Sequence, residues 1–106
     1  MKLIELLTAA ELGPGECRVV RPDGLELALC NVDGTYYCVE NECPHSYGPL
    51  GEGTLEGDTL TCPIHGWEFN VVTGESMDGW GVDLTTFPCH VVEGRIYVEL
   101  PESGPA

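Results

Sequence analysis

Positive charge is almost absent from this chain. Of its 106 residues only Lys2, Arg18, Arg21 and Arg95 are basic, against 18 acids, which leaves a net charge of −14. No base occurs between residues 22 and 94, a stretch that carries thirteen acids from Asp23 to Glu93. Phosphate neutralisation needs clustered Lys and Arg, so nucleic acid is excluded as a leading partner. The same deficit argues against an anionic lipid surface. Long apolar runs are missing too, and nothing approaches the ~18 residues of a membrane span. The opening Met1-Lys2-Leu3-Ile4-Glu5-Leu6-Leu7 is interrupted by Glu5 and is too short and acidic for a signal sequence. Histidine is scarce, with three residues, and helical periodicity is scarcer still.

What is present points to one small globular domain. A chain of this length supports one core and leaves no room for a second, nucleotide-binding unit. Hydrophobic residues make up 42% and mean hydropathy is −0.01, an ordinary globular balance. Fourteen Gly and eight Pro favour turns and short strands over helices. Six cysteines without a secretion signal suit a reducing compartment, and a cytoplasmic location is expected.

Strand and turn signals recur about every ten residues. Strands are expected over Lys2–Leu7, Cys17–Val20, Leu25–Cys30, Thr35–Glu40, Val82–Phe87, Cys89–Val92 and Arg95–Glu99. Thr8 should cap a helical turn through Leu12. Arg21-Pro22-Asp23-Gly24, Asp33-Gly34 and Glu93-Gly94 should turn the chain between strands. Tyr36 and Tyr37 should lie on opposite faces of one strand. The middle, Asn41 to Gly81, is rich in Gly, Pro, Cys and His and poor in core-forming periodicity. It should therefore be stapled by something other than packing. Only the tail from Pro101 to Ala106 looks loose.

The staple is visible in the cysteine and histidine spacing. Cys43-Pro44-His45 is followed, after sixteen intervening residues, by Cys62-Pro63-Ile64-His65. Two Cys-His pairs on Pro-containing loops can converge four ligands on one small volume. Tetrahedral zinc with two thiolates and two imidazoles is one reading. A [2Fe-2S] cluster with two Cys on one iron and two His on the other is the second.

The flanking residues separate the two. Cys43-Pro44-His45-Ser46-Tyr47-Gly48-Pro49-Leu50, then Cys62-Pro63-Ile64-His65-Gly66-Trp67-Glu68-Phe69, resemble the C-x-H-x4-L and C-P-x-H-G-W-x-F signatures of the Rieske iron–sulfur family. The resemblance runs from about Leu25 through Val98. It implies an all-β fold: residues 1–106 form a single Rieske domain, an antiparallel β-sandwich base with a small cluster-binding β lobe at about 41–81. It also implies one [2Fe-2S] cluster per chain, with Cys43 and Cys62 on one iron and His45 and His65 on the outer iron. Such a core carries two positive charges when oxidised, which two thiolates cancel and two neutral imidazoles leave unchanged. Exchanging two thiolates for imidazoles thus raises the potential above that of a four-cysteine site.

Three absences narrow the branch. High-potential members carry an extra, disulfide-bonded cysteine in each ligand loop, where this chain has Gly48 and Ile64. They also carry Ser and Tyr hydroxyls that donate to cluster sulfur, where this chain has Trp67 and Phe69. The chain therefore resembles the low-potential soluble ferredoxins of ring-hydroxylating dioxygenase systems. By that resemblance it passes single electrons from a flavin-containing NAD(P)H reductase to a terminal oxygenase, both expected to dock through basic patches. Catalysis by the chain itself is not expected. With His45 and His65 committed, only His90 remains for a mononuclear iron, which commonly takes two His and a carboxylate. A small subunit of an assimilatory nitrite reductase has a similar size and motif, and a zinc-stabilised interaction module is the reading from another class. Cys17, Cys30, Cys38 and Cys89 read as free thiols within strands and His90 as a strand residue, while Trp80 and its flanking glycines read as a cap on the lobe.

Overall fold

The computed structural model describes residues 2–42, 49–64, 66–77 and 83–100. Ten strands account for most of them: β1 Lys2–Thr8, β2 Cys17–Val20, β3 Leu27–Val32, β4 Thr35–Glu40, β5 Thr54–Glu56, β6 Thr59–Thr61, β7 Glu68–Asn70, β8 Thr86–Phe87, β9 Cys89–Val92 and β10 Arg95–Leu100. Three single 3-10 turns are the only helical pieces among the described residues. The strands form three antiparallel sheets, in the orders β1-β10-β9, β2-β3-β4-β8 and β5-β6-β7.

Burial shows how the sheets stack. Leu27 and Leu29 of β3 join Ile96, Val98 and Leu100 of β10 in one apolar cluster. The alternate residues of β3, Ala28 and Cys30, join Leu55, Leu60 and Phe69 of the third sheet in a second cluster. The sheet containing β3 and β4 is thus the middle layer of three, covered on both faces. That is why β3 reads as a continuous apolar run rather than an alternation. Tyr36 and Tyr37 divide between the two clusters, as the strand period demands.

Local chemistry sets the turns. Asp33-Gly34 and Glu93-Gly94 are two-residue hairpin loops between Val32 and Thr35 and between Val92 and Arg95, with all four φ angles positive. Thr8 begins a 3-10 turn over Ala9–Glu11, in which the Glu11 carboxylate accepts from the Thr8 N–H (2.9 Å) and hydroxyl (3.0 Å).

The sequence expectations need three corrections. The strand expected over Val82–Phe87 is regular only at Thr86–Phe87, because that piece pairs with Cys38 and Val39 alone; Val82 lies outside the described residues. The strand expected over Leu25–Cys30 is shifted to Leu27–Val32, because Pro22–Gly24 closes a 3-10 turn in which the Leu25 N–H donates to the Pro22 carbonyl. The middle segment does not lack a core. Leu50, Leu55, Leu60, Phe69 and Val71 are buried there against the middle sheet. Burying one such side chain contributes ~1.5–3 kcal/mol. The packing escapes the eye because the strands that carry it are three residues long, too short to show a period.

Candidate metal centre

The first ligand loop of the sequence motif lies between β4 of the middle sheet and the 3-10 turn Leu50–Glu52, and the second lies between β6 and β7 of the third sheet. The first has its ends pinned together. Glu42 and Pro49 form an antiparallel bridge, and the Leu50 N–H donates to the Asn41 carbonyl at 2.7 Å. Asn41, 2% exposed, closes the base further. Its Oδ1 accepts the Gly51 N–H at 2.7 Å and its Nδ2 donates to Glu26 at 3.2 Å. Sequence reading passed over Asn41, whose signal was its position just ahead of the motif. The adjoining turn needs glycine. A Cβ at Gly51 would stand 2.8 Å from the Val19 nitrogen, and one at Gly53 would stand 2.0 Å from the Thr61 carbonyl oxygen.

The second loop leaves β6 at Thr61 and re-enters the sheet at Glu68. It is a tight turn, with the Cys62 N–H donating to the Trp67 carbonyl (2.7 Å) and the Gly66 N–H to the Cys62 carbonyl (3.1 Å). Gly66 has φ +76, open to glycine at no steric cost. Cys62 is 1% exposed, and Trp67 packs against the same cluster. Ile64 and Pro63 face solvent at the tip.

Of the four expected ligands the structure describes Cys62. Cys43, His45 and His65 lie outside the described residues, as do Trp80 and its neighbours. Cys62 satisfies one requirement of a soft-metal site: its thiol stands at the head of a turn, shielded from water. A [2Fe-2S] group fits this donor, and the pinned base of the first loop provides a second rigid support. The remaining cysteines behave as expected of structural thiols. Cys30 and Cys38 are buried and Cys17 and Cys89 half-buried. Burial pushes the Cys17 and Cys30 thiols up in pKa, Cys30 strongly. His90 lies on β9 with its ring against the Glu99 carboxylate, far from any ligand role.

Electrostatics divide along the same line as the layers. Every base is engaged on the sandwich. Lys2 pairs with Asp23 at 2.6 Å, Arg21 with Glu26 at 3.3 Å and Arg95 with Glu5 at 3.5 Å, while Arg18 donates to the Glu11 carbonyl. Beside the two ligand loops Glu42 and Glu68 are exposed, and Glu52, Glu56 and Asp58 are exposed elsewhere on the same segment. A cleft of 530 Å³ opens at the foot of the first loop, lined by Glu26, Glu40 and Glu42 among others.

The Rieske [2Fe-2S] domain model matches residues 2–88. The chain belongs to the Rieske [2Fe-2S] family. Among curated relatives, Ferredoxin CarAc of Metapseudomonas resinovorans is 38% identical over 90% of this chain and 91% of its own. The 3-phenylpropionate/cinnamic acid dioxygenase ferredoxin subunit of Escherichia coli (strain K12) is 41% identical over 74% of this chain and 76% of its own. A solved complex of reduced oxygenase and oxidized ferredoxin in carbazole 1,9a-dioxygenase contains a chain similar to this one. It has TM-score 0.85 and 38% identity, and 91% of each chain is covered. This Rieske protein carries one [2Fe-2S] cluster and is an electron carrier rather than an oxygenase in its own right. No helix among the described residues is long and apolar enough to cross a membrane.

Proposed function

We propose that this Rieske protein is the ferredoxin component of a ring-hydroxylating dioxygenase system, taking single electrons from a flavoprotein NAD(P)H reductase and delivering them to a terminal oxygenase in the cytoplasm. The observation that carries this reading is the 38% identity to Ferredoxin CarAc over nine-tenths of both chains. In this reading residues 1–106 act as a single domain, with 41–81 as the cluster-binding lobe. Cys43 and Cys62 hold one iron, and His45 and His65 hold the outer iron. The bound cluster supplies reversible one-electron chemistry. The chain's own residues do the rest: Cys62 keeps a thiolate out of water, Asn41 fixes the base of the first loop, and Trp67 and Phe69 withhold hydroxyl donors. Without such donors the charge added on reduction is less dispersed, which favours a potential toward the low end of the roughly −150 to +300 mV Rieske range.

The exposed acids around the lobe are complementary to basic patches on both partners, and such complementarity governs encounter more than final affinity. The test is stopped-flow reduction of the holoprotein by a ring-dioxygenase reductase, followed by its reoxidation by the oxygenase. Both second-order rates should fall as salt rises, since the Debye length is about 10 Å at 0.1 M and shrinks beyond. Glu42→Lys, beside the centre, should slow both several-fold, and Glu93→Lys, on the sandwich hairpin, should not. A holoprotein that neither partner class oxidises or reduces would defeat the proposal.

A further inference from the structure

The buried amide of Asn41 holds the first ligand loop, and its orientation is set from outside that loop. At the loop's exit the Leu50 N–H donates to the Asn41 carbonyl and the Gly51 N–H to Asn41 Oδ1, each at 2.7 Å. Gly51 in turn lies close against β2, with no room for a Cβ beside the Val19 nitrogen. The Gly51 bond exists only while Oδ1, and not Nδ2, faces that N–H. The residue that decides this is Glu26. It stands opposite Asn41, one step beyond the last β3–β4 pair, Leu27 with Glu40. Its backbone carbonyl accepts the Asn41 N–H at 3.2 Å, and its carboxylate accepts from Asn41 Nδ2 at 3.2 Å. The other carboxylate oxygen accepts from Arg21 Nε at 3.3 Å. A carboxylate only accepts and a backbone N–H only donates, so an Asn side chain between them has one workable orientation. Turned over, it would set acceptor against acceptor at Glu26 and donor against donor at Gly51.

We propose that Glu26 is a positioning residue for the [2Fe-2S] centre: it fixes the Asn41 amide and, through it, the separation of the two ends of the loop that carries Cys43 and His45. The proposal rests on the reading above that Cys43 and His45 are ligands. Glu26 itself is exposed on the sandwich and far from the motif in sequence, but Asn41 is 2% exposed. Water therefore does not freely replace a lost acceptor there. Without the Glu26 carboxylate a buried amide donor stays unpaired and the side chain is free to turn, which removes the Gly51 bond as well. One such bond is worth roughly a two- to tenfold change in an equilibrium. Loosened ends let the loop adopt more geometries, which should appear as a spread in the environment of the iron and as faster loss of that iron. Charge alone would act differently, since any neutral residue in place of Glu26 would then have the same effect.

The test compares holoproteins by electron paramagnetic resonance of the reduced cluster and by the rate of iron transfer to a chelator. Glu26→Ala should broaden the resonance lines and release iron about two- to tenfold faster. Glu26→Gln removes the same charge but keeps an oxygen that accepts from Asn41, so both readouts should stay close to wild type. A swap of donor and acceptor gives a second, independent comparison. Asn41→Asp still accepts from Gly51 but sets a carboxylate against Glu26, and should release iron faster. Adding Glu26→Gln turns a donor toward the new carboxylate and should slow release again, at the net charge of the wild type. Glu26→Ala and Glu26→Gln behaving alike, both changed or both unchanged, would overturn the proposal and leave Glu26 as surface charge. So would a double variant that loses iron as fast as Asn41→Asp alone, a comparison that stands even if Glu26→Ala does not fold. Cys43→Ser tests the ligand reading separately: it should assemble no cluster, and a full cluster in it would defeat that reading whatever the Glu26 series shows.

Discussion

The sandwich and the lobe are built from the same residue alphabet but held by different means. Sandwich strands run to six or seven residues, close through two-residue hairpins and place each base against a carboxylate or carbonyl. The lobe has strands of three residues and gains its order from turns, from Asn41 and from glycines pressed against neighbouring backbone. The contrast teaches where tolerance lies. Long ladders absorb a local fault, because many neighbouring pairs remain. A lobe of short strands depends on a few close approaches, each of which sets where a ligand loop begins.

The sharpest way to break the lobe is at Gly53. A Cβ there would stand 2.0 Å from the Thr61 carbonyl oxygen, and Thr61 immediately precedes the Cys62 turn. Backbone cannot give way as a side-chain tip can. Gly53→Ala should cost about 3 kcal/mol or more, at or beyond the upper end of ordinary overpacking. It should also empty the protein of iron, as measured by denaturant melts and by iron and labile-sulfide analysis. Gly57→Ala is the control. Its φ of +61 is strained for alanine, but the space around it is open, so about 1 kcal/mol and full iron content are expected.

Cys62→Ser probes whether metal or packing holds the lobe. The protein should lose its cluster, with iron and labile sulfide near zero. The third sheet should nevertheless persist, since Leu55, Leu60 and Phe69 are buried independently of any ligand. Hydrogen exchange should retain protection at β5, β6 and β7 while the turn around Cys62 loses it. Complete exchange across the sheet would mean that the cluster substitutes for a core after all.

That last distinction marks the limit of what could be read from residues alone. The ligand motif is local and chemically specific, so Cys43, His45, Cys62 and His65 stood out. The hairpins were legible because Asp33-Gly34 and Glu93-Gly94 carry their own conformational signal. The lobe's core was not legible. Leu50, Leu55, Leu60, Phe69 and Val71 are separated by polar residues and turns, and only the fold gathers them against Ala28 and Val39. Asn41 was missed for a related reason. A single polar residue has no period, and its value lies in the loop it closes.

The smallest effect sharpens the comparison from the sandwich side. Glu93 and Asp33 open equivalent two-residue hairpin loops with φ of 52° and 51°. Aspartate tolerates the left-handed region better than glutamate, because a short polar side chain can bond to nearby backbone. Glu93 therefore carries strain that Asp33 does not. Glu93→Asn should relieve it and stabilise the protein by about 0.5–1 kcal/mol, since the loop would then match the favoured Asn-Gly pair. Removing one of the acids adds slightly in the same direction by lowering self-repulsion in a chain of net charge −14. High salt screens that second part and leaves the first, so the gain measured by denaturant melts should persist at 0.5 M salt, where the Debye length falls to about 4–5 Å. Iron content should not change, because β9 and β10 belong to the outer sheet, the layer farthest from the candidate metal centre. A gain that vanishes with salt would assign the effect to charge and leave the Glu93 backbone unstrained.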